Sequence, residues 1–156
     1  MTTDAQVEPW TLIEQARAQE LIRRYLEALN TRNPDRMHEI VASDIFLEEP
    51  LLPNGVHGWD EYRAFLVSLW EMMPDLEFAP LDGSLESAAF VAADGRRVVM
   101  PWRARGTIAA TRRAIATHGI EIISFREARV AHVRAYYDPL DFYRQAGLPV
   151  SSAVNA

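Results

Sequence analysis

The sequence predicts an α+β domain in which three helices precede a meander of long strands. Apolar residues recur at helical spacing in the first half of the chain, and long apolar runs separated by turn signals fill the second half. A sheet that is strongly curved by twist and bulges can close on such helices as a cone. We therefore expect a curved mixed sheet wrapped by three N-terminal helices, with an apolar pocket between them.

The first helix is predicted over residues 11–30, with Thr11 as its cap. Its apolar stripe includes Tyr25, which is either a core tyrosine or a phenol that donates a hydrogen bond into a pocket. A second, short helix begins at Pro34, and a third is predicted over residues 59–73.

The strands are predicted from apolar runs bounded by turn residues. Residues 43–44 and 54–55 indicate turns on either side of the first strand. A last helical segment is expected at residues 140–146. The predicted strands cover residues 45–49, 76–79, 85–92, 98–108, 115–125 and 130–137.

Length and composition limit the classes of function. The 156 residues fit one domain, residues 1–156, with an ordered core from about residue 10 to about residue 148 and frayed ends. The net charge of −6 argues against nucleic acid or a membrane surface as a partner. The chain contains no cysteine, which excludes disulfides and thiolate chemistry. Because neither a secretory signal nor a membrane-spanning apolar run is visible, we expect a cytoplasmic protein.

The first strand ends in two adjacent carboxylates, Glu48 and Glu49, followed by Pro50. Neighbouring residues on a strand point to opposite faces, so one of the two glutamates should face the interior. A carboxylate in an apolar interior is costly unless it is paired, hydrogen-bonded or neutral. The pair therefore indicates a working group, and the alternative is a solvated pair at the end of a strand.

Several short motifs resemble the nuclear transport factor 2-like superfamily over roughly residues 12 to 148. The nearest pattern is that of SnoaL-like polyketide cyclases, with ketosteroid isomerases and limonene-epoxide-hydrolase-like enzymes close behind. The resemblance implies a cone fold, a homodimer, and acid–base chemistry on a small apolar organic substrate. The motifs are residues 24–26 (RYL), 28–30 (ALN), 46–50 (FLEEP), 57–62 (HGWDEY), 133–138 (VRAYYD) and 145–147 (QAG).

The resemblance to ketosteroid isomerases assigns three roles. In those enzymes a tyrosine of the first helix and a protonated aspartic acid donate hydrogen bonds to the substrate oxyanion, and an acidic residue before a proline removes the proton. The matching positions here are Tyr25, Glu121 and Glu49. Two of them are glutamates where the isomerases have aspartates, which makes each side chain one methylene longer.

The direction of Glu121 stays open at this point. It shares a strand face with Ile123 and Phe125, but the opposite face is also apolar, so alternation does not decide which face lines the pocket. The alternative is a dimer interface in which Glu121 pairs with Arg103 or Arg105.

The other two families point to Asp138. SnoaL-like cyclases place an acid/base aspartate at the end of the last strand, where this chain has Asp138 before Pro139. The alternative is that Asp138 ends the strand or caps the last helix. Epoxide hydrolases also match Asp138, but their tyrosine and asparagine fall at Phe46 and Glu48, so Glu48 would have to activate water in their place.

Six aromatic or imidazole side chains are candidates for substrate binding, with a structural role as the alternative for His57 and the tryptophans. No other histidine lies at metal-ligand spacing from His57, and no glycine-rich phosphate loop is present, so we expect neither a metal nor a cofactor. The candidates are Phe46, His57, Phe65, Trp70, Trp102 and Tyr137.

These residues predict a cofactor-independent enzyme that isomerises or cyclises a small, mostly apolar carbonyl compound. Glu49 would remove a proton, Tyr25 and protonated Glu121 would stabilise the enolate, and Asp138 would assist as an acid. We expect Glu49 to face the cavity, since Glu48 inward would favour water activation with Asp138. The alternatives are an epoxide-opening enzyme that uses Glu48 or Glu49 with Asp138, and a non-catalytic module for ligand binding or dimerisation.

Overall fold

The computed structural model describes residues 10–84 and 88–149. Within these ranges the chain forms helices and strands in the order expected of an α+β domain. The helices are α1 (Gln15–Thr31), α2 (Pro34–His38), α3 (Gly58–Met72) and α4 (Pro139–Ala146). The strands are β1 (Val41–Glu49), β2 (Leu52–His57), β3 (Glu77–Pro80), β4 (Phe90–Val91), β5 (Arg97–Thr107), β6 (Ala114–Arg126) and β7 (Arg129–Tyr137).

The seven described strands form one curved, open sheet in the order β2-β1-β7-β6-β5-β3, and β4 pairs with β5. Strands β1 and β7 are parallel, and the other described pairs are antiparallel. The helices and the concave face of the sheet share one buried apolar cluster. This arrangement confirms the predicted α+β cone with helices packed on a curved mixed sheet.

Helix α1 buries its apolar stripe but begins later than predicted. Its N-cap is Glu14, and Thr11 lies outside the helix, where its backbone N–H donates to the carbonyl of Phe125 at 2.9 Å. At the other end, the Asn30 side chain hydrogen-bonds both the N–H and the carbonyl of Phe78 at 2.8 Å. These two bonds fix β3 against α1 at the wall of the cavity.

Strand β2 was not predicted, because Asn54 and Gly55 indicate a turn in the sequence. In the structure both belong to a strand that pairs with β1, and Gly55 adopts a φ of +66°. A β-carbon on Gly55 would lie 2.5 Å from a ring carbon of Phe46, so glycine also makes room for that ring. The turn predicted at residues 43–44 was wrong for a similar reason, since both residues lie within β1.

The remaining elements lie close to their predicted positions, and the long strands β5 and β6 differ from the prediction by one residue at each end. The strand predicted at residues 85–92 is shorter in the structure, which shows only Phe90–Val91. The prediction was wrong for Ala88, Ala89 and Ala92, which are not in a strand, and residues 85–87 lie outside the described part. Residues 1–9 and 150–156, where frayed ends were expected, also lie outside it. No described helix combines the length and the apolar character that crossing a bilayer requires.

Candidate active site

A cavity of about 260 Å³ lies between α1, α3 and the concave face of the sheet. Its walls are mainly apolar, with leucine, methionine and phenylalanine side chains that include Leu29, Leu66, Met73 and Phe78. A small number of polar groups in an apolar concavity is the usual composition of a small-molecule site. The side chains with polar atoms that line it are Tyr25, Glu49, Tyr62, Trp102, Thr117, Glu121 and Tyr137.

The two adjacent glutamates of β1 point in opposite directions. Glu49 lines the cavity, as we expected, while Glu48 lies on the other face of the sheet. There Glu48 Oε2 lies 2.7 Å from His132 Nε2 and accepts a hydrogen bond of 2.8 Å from Arg134 Nε. Although partial burial opposes it, these two contacts lower the pKa of Glu48 below its usual value.

Burial raises the pKa of Glu49 above its usual value, because the apolar surroundings disfavour the charged form. Two hydrogen bonds act against this shift, one donated by the Tyr137 hydroxyl to Oε2 and one from the backbone of Leu51. Glu49 is therefore a carboxylate that is desolvated but held in place, with a higher proton affinity than a solvated glutamate. These properties suit a general base.

Glu121 reaches the same cavity from β6 and is more deeply buried. Its side chain belongs to the face that carries buried Ile123, with 9% of the residue exposed. Burial raises its pKa to about 7, and its Oε2 has no hydrogen-bond partner among the described residues. A carboxyl group in this state is mostly protonated below about pH 7, and the protonated form can donate a hydrogen bond to a ligand.

Ala135 separates the two carboxyl groups in the sheet. It pairs with Glu121 across β6 and β7, and it follows Arg134, which pairs with Glu48 across β1 and β7. Glu49 and Glu121 are thus two strands apart, with backbones about 10 Å from each other at the usual strand spacing. The small side chain of Ala135 leaves room for a ligand between them.

Two tyrosines meet at the helical wall of the cavity. The hydroxyls of Tyr25 on α1 and Tyr62 on α3 lie 3.2 Å apart, and both residues are almost fully buried. Burial raises the pKa of both phenols, and the nearby Glu121 adds to the effect. Tyr62 was not among the predicted site residues, although it ends the 57–62 motif. The signal that could have identified it is a second tyrosine on the apolar side of a predicted helix.

The pattern of the SnoaL-like domain matches residues 22–133, which is more than half of the chain. The chain belongs to the SnoaL-like domain family. This membership, together with the fold, confirms the predicted resemblance to the nuclear transport factor 2-like superfamily. No curated protein matches the sequence.

Solved structures resemble this SnoaL-like chain at low sequence identity, so they support the fold alone. A protein with a ketosteroid isomerase-like fold from Catenulispora acidiphila, in complex with trimethylamine, has 17% identity and a TM-score of 0.71, over 85% of this chain and 95% of that one. A candidate SnoaL-like polyketide cyclase from Jannaschia has 16% identity and a TM-score of 0.69, over 86% and 94%. A candidate isomerase from Bacillus subtilis has 18% identity and a TM-score of 0.71, over 86% and 96%.

In this SnoaL-like domain Asp138 does not line the cavity, so the acid role considered for it is not supported and the structure shows the other alternative, a helix cap. The side chain of Asp138 caps α4, where one oxygen accepts the N–H groups of Leu140 at 2.9 Å and Asp141 at 3.1 Å. Strand alternation explains the outcome, because Ala135 and Tyr137 face the cavity and Asp138 follows on the opposite side. An exposed cap of this kind stabilises the helix.

Three of the six predicted substrate-binding side chains line the cavity, namely Phe65, Trp102 and Tyr137. The Trp102 ring meets Tyr137 edge-on, with 6.1 Å between ring centroids. Gly119, the β6 partner of Trp102, allows this placement, because a β-carbon there would lie 2.8 Å from Trp102 Cζ2 and 2.2 Å from the Tyr136 carbonyl oxygen.

The other three, Phe46, His57 and Trp70, do not line the cavity. Phe46 lies on the outer face of the sheet and stacks between His57 and His132, at centroid distances of 4.5 and 5.3 Å. The ring of His57 also contacts the backbone, with Nε2 2.9 Å from the Asn54 carbonyl oxygen. Trp70 is buried in the apolar core beside the cavity. For His57 and Trp70 this position corresponds to the structural role named above as the alternative.

Among the side chains described, His, Asp and Glu residues form no group of three that could hold a metal ion. The site of this SnoaL-like domain is therefore built from a desolvated carboxylate, a buried carboxyl group and two paired phenols around an apolar volume. Such a set can remove a proton from one atom of a bound molecule and donate hydrogen bonds to another.

Proposed function

We propose that this SnoaL-like protein is an acid–base enzyme that isomerises or cyclises a small, mostly apolar carbonyl compound. One observation carries the proposal: Glu49 and Glu121 enter one apolar cavity, and burial raises the pKa of both. Two carboxyl groups in different environments can take different roles, the ionised one as base and the neutral one as hydrogen-bond donor.

The first step is proton removal next to the carbonyl group. The carboxylate of Glu49 takes a proton from the carbon, and the electron pair of the C–H bond becomes the C=C bond of an enolate. The negative charge that leaves Glu49 then resides on the carbonyl oxygen of the substrate. Protonated Glu121 and the Tyr25 hydroxyl are the donors that stabilise this oxygen.

Two products can follow from the enolate, and both balance without an added reactant. If the substrate carries a C=C bond conjugated with the enolate, return of the proton from Glu49 to the far carbon of this extended enolate gives an isomer in which the double bond has moved. Attack of the enolate carbon on a second carbonyl group of the same molecule forms a ring, and the new alkoxide takes up the proton. Tyr62 supports either outcome by holding the Tyr25 hydroxyl in position.

The experiment that tests this function measures α-proton exchange, which reports enolate formation before the two outcomes diverge. The protein is incubated with the bicyclic ketone 2-tetralone in heavy water, and deuterium uptake is followed by mass spectrometry against buffer alone. We expect the wild type to accelerate uptake, Glu121→Gln to keep much of this acceleration, and Glu49→Gln to remove it. The function would be wrong if both variants behaved like the wild type or if the wild type did not exceed buffer.

The epoxide-opening alternative has less support from the geometry. It pairs an activated water at Glu48 or Glu49 with acid assistance from Asp138, and both Glu48 and Asp138 lie outside the cavity. The non-catalytic alternative would be favoured by a cavity filled with side chains and by solvated glutamates. In the structure the cavity has an unfilled volume of about 260 Å³, and Glu49 and Glu121 both line it.

Homodimer formation, which the family resemblance implies, is part of the same proposal. The outer face of the sheet carries an apolar row in which Ile120 pairs with Pro101 on one side and Tyr136 on the other. Ile120 and Tyr136 are 43% and 51% exposed in the single chain. Sedimentation should give the mass of a dimer for the wild type and of a monomer for Ile120→Glu. A monomeric wild type would contradict the assignment.

A further inference from the structure

The charged side chains that line the cavity all have the same sign. The chain contains 16 arginine residues and no lysine, yet no described arginine lines the cavity, and neither does a described histidine. The two ionisable acids, Glu49 and Glu121, are surrounded by apolar and aromatic side chains. Within the described part of the chain, a ligand in this cavity therefore meets no cationic side chain that could neutralise a negative charge.

The proposed reaction keeps the charge of the cavity constant. Before proton transfer the single negative charge is on Glu49, and Glu121 is neutral. After transfer the charge is on the enolate oxygen, and Glu49 is neutral. A substrate with a carboxylate of its own would add a second negative charge, in a volume where low polarity strengthens the repulsion and where the carboxylate loses its hydration.

The contrast with the outer face of the sheet supports this point. Glu48, one residue away from Glu49, is balanced there by Arg134 and His132. Among the residues that the structure describes, a carboxylate outside the cavity thus has positive partners and a carboxylate inside it has none.

We propose that the substrate enters this cavity uncharged, with each of its carboxyl groups masked as an ester, thioester, amide or lactone. This inference rests on the proposed function, because it assigns one negative charge to the cavity throughout the reaction. It adds a property of the substrate that acid–base chemistry alone does not require. Free carboxylic acids are rejected at the binding step.

A matched pair of probes tests the inference. Methyl 2-naphthoate and the 2-naphthoate anion share one bicyclic ring system and differ in the charge of a single group. Binding is followed through quenching of tryptophan fluorescence, since Trp102 lines the cavity, at about pH 6, where the acid is ionised. We expect the ester to bind at least tenfold more tightly than the anion. Equal binding of the two probes, or tighter binding of the anion, would overturn the proposal.

Two variants separate the charge effect from general changes in the fold. Glu49→Gln removes the negative charge and keeps the shape of the side chain. The ratio of the affinities for ester and anion should therefore fall at least threefold, mainly because the anion binds more tightly. Glu48→Gln, on the outer face, should leave this ratio, the gap between the two probes, unchanged. If Glu49→Gln left the gap as it was, the selectivity would not come from the cavity charge and the inference would be wrong.

The binding experiment does not require turnover, so the two proposals fail separately. Absence of α-proton exchange with clear preference for the ester would refute the reaction and leave an acid-lined cavity for neutral ligands. Normal exchange with no preference for the ester would keep the reaction and refute the claim about the substrate.

Discussion

The Tyr137 hydroxyl donates a hydrogen bond to the carboxylate of Glu49, across the parallel pair of strands β1 and β7. Tyr137 also packs edge-on against Trp102, so the donor is held by the wall of the cavity. The bond stabilises the charged form of Glu49 in surroundings that otherwise favour the neutral form. Glu49 can therefore be desolvated and still ionise.

Replacing Tyr137 by phenylalanine should shift the acidic limb of the activity profile to higher pH. The change removes a donor to the charged form, so the pKa of Glu49 rises further. A base works only when deprotonated, so more alkaline conditions are then needed. A hydrogen bond to a charged group is worth about 1.5–3 kcal/mol, which corresponds to a shift of about one to two pH units. The rate of 2-tetralone exchange against pH measures the shift, and Tyr136→Phe, on the outer face, is the control. An unchanged acidic limb would remove Tyr137 from this role.

Glu49→Gln should lower the exchange rate by about 10²- to 10⁴-fold, the usual contribution of a general base. The matched control is Glu48→Gln, which makes the same chemical change one residue earlier but outside the cavity. It should keep activity close to that of the wild type. A comparable loss in both variants would point to damage to β1 rather than to loss of a base.

Glu121 should determine the alkaline limb of the profile. It acts as a donor only when protonated, and burial raises its pKa to about 7, so activity should fall as the pH rises through that value. Glu121→Gln donates through its amide at any pH and should flatten the fall, whereas Glu121→Leu donates nothing and should lower the rate at all pH values. An alkaline limb near pH 7 that survived in Glu121→Gln would have to come from another group.

The same carboxyl group predicts how stability depends on pH. Its pKa rises from an ordinary value of 4.5 to about 7 on folding, so between these values the folded state binds more protons than the unfolded state. The free energy of unfolding should therefore fall as the pH rises through this window, by about 3 kcal/mol in total from this group. Urea unfolding of the wild type and of Glu121→Gln measures the difference. Equal slopes in the two proteins would contradict a buried, neutral Glu121.

Gly119→Ala tests the packing that places Trp102. The added methyl group would lie 2.2 Å from the Tyr136 carbonyl oxygen, so β6 or β7 must move, at a cost of about 1–3 kcal/mol. Gly106→Ala is the control on the neighbouring strand, where the nearest atom would be 3.3 Å away and a smaller loss is expected. Thermal unfolding followed by circular dichroism compares the two. Equal loss in both variants would show that the close approach to Trp102 and Tyr136 does not limit stability.

Local patterns predicted most of the fold, because they depend on neighbours in the chain. The apolar stripe of α1 and the runs of β5 and β6 place these elements within a few residues. The missed strand β2 has an ordinary turn signal, Asn54-Gly55, which its pairing with β1 overrides. The paired residues lie close together in the chain, from Glu49 with Leu52 to Phe46 with His57, but Pro53, Asn54 and Gly55 are residue types that strands disfavour, so composition gave no sign of the strand.

The positions of site residues were predictable only where strand alternation or a family motif determined the direction in which a side chain points. The placement of Glu49 follows from the alternation of β1 combined with the isomerase pattern. The contact between the Tyr25 and Tyr62 hydroxyls depends on how two helices approach each other in space. For Asp138 the family pattern suggested a place in the cavity, but its side chain instead accepts hydrogen bonds from the nearby N–H groups of α4.

Glu48 and Glu49 are identical side chains, and only their register on β1 gives them different chemistry. A slip of β1 by one residue against β7 would bring Glu48 into the cavity and carry Glu49 to His132 and Arg134. A single-residue insertion or deletion before this pair would thus replace the base without changing which residue types are present. A protein that evolves from this one can therefore acquire an acid at a different position in the cavity through a change in the length of the chain before β1 ends, with no substitution at either glutamate.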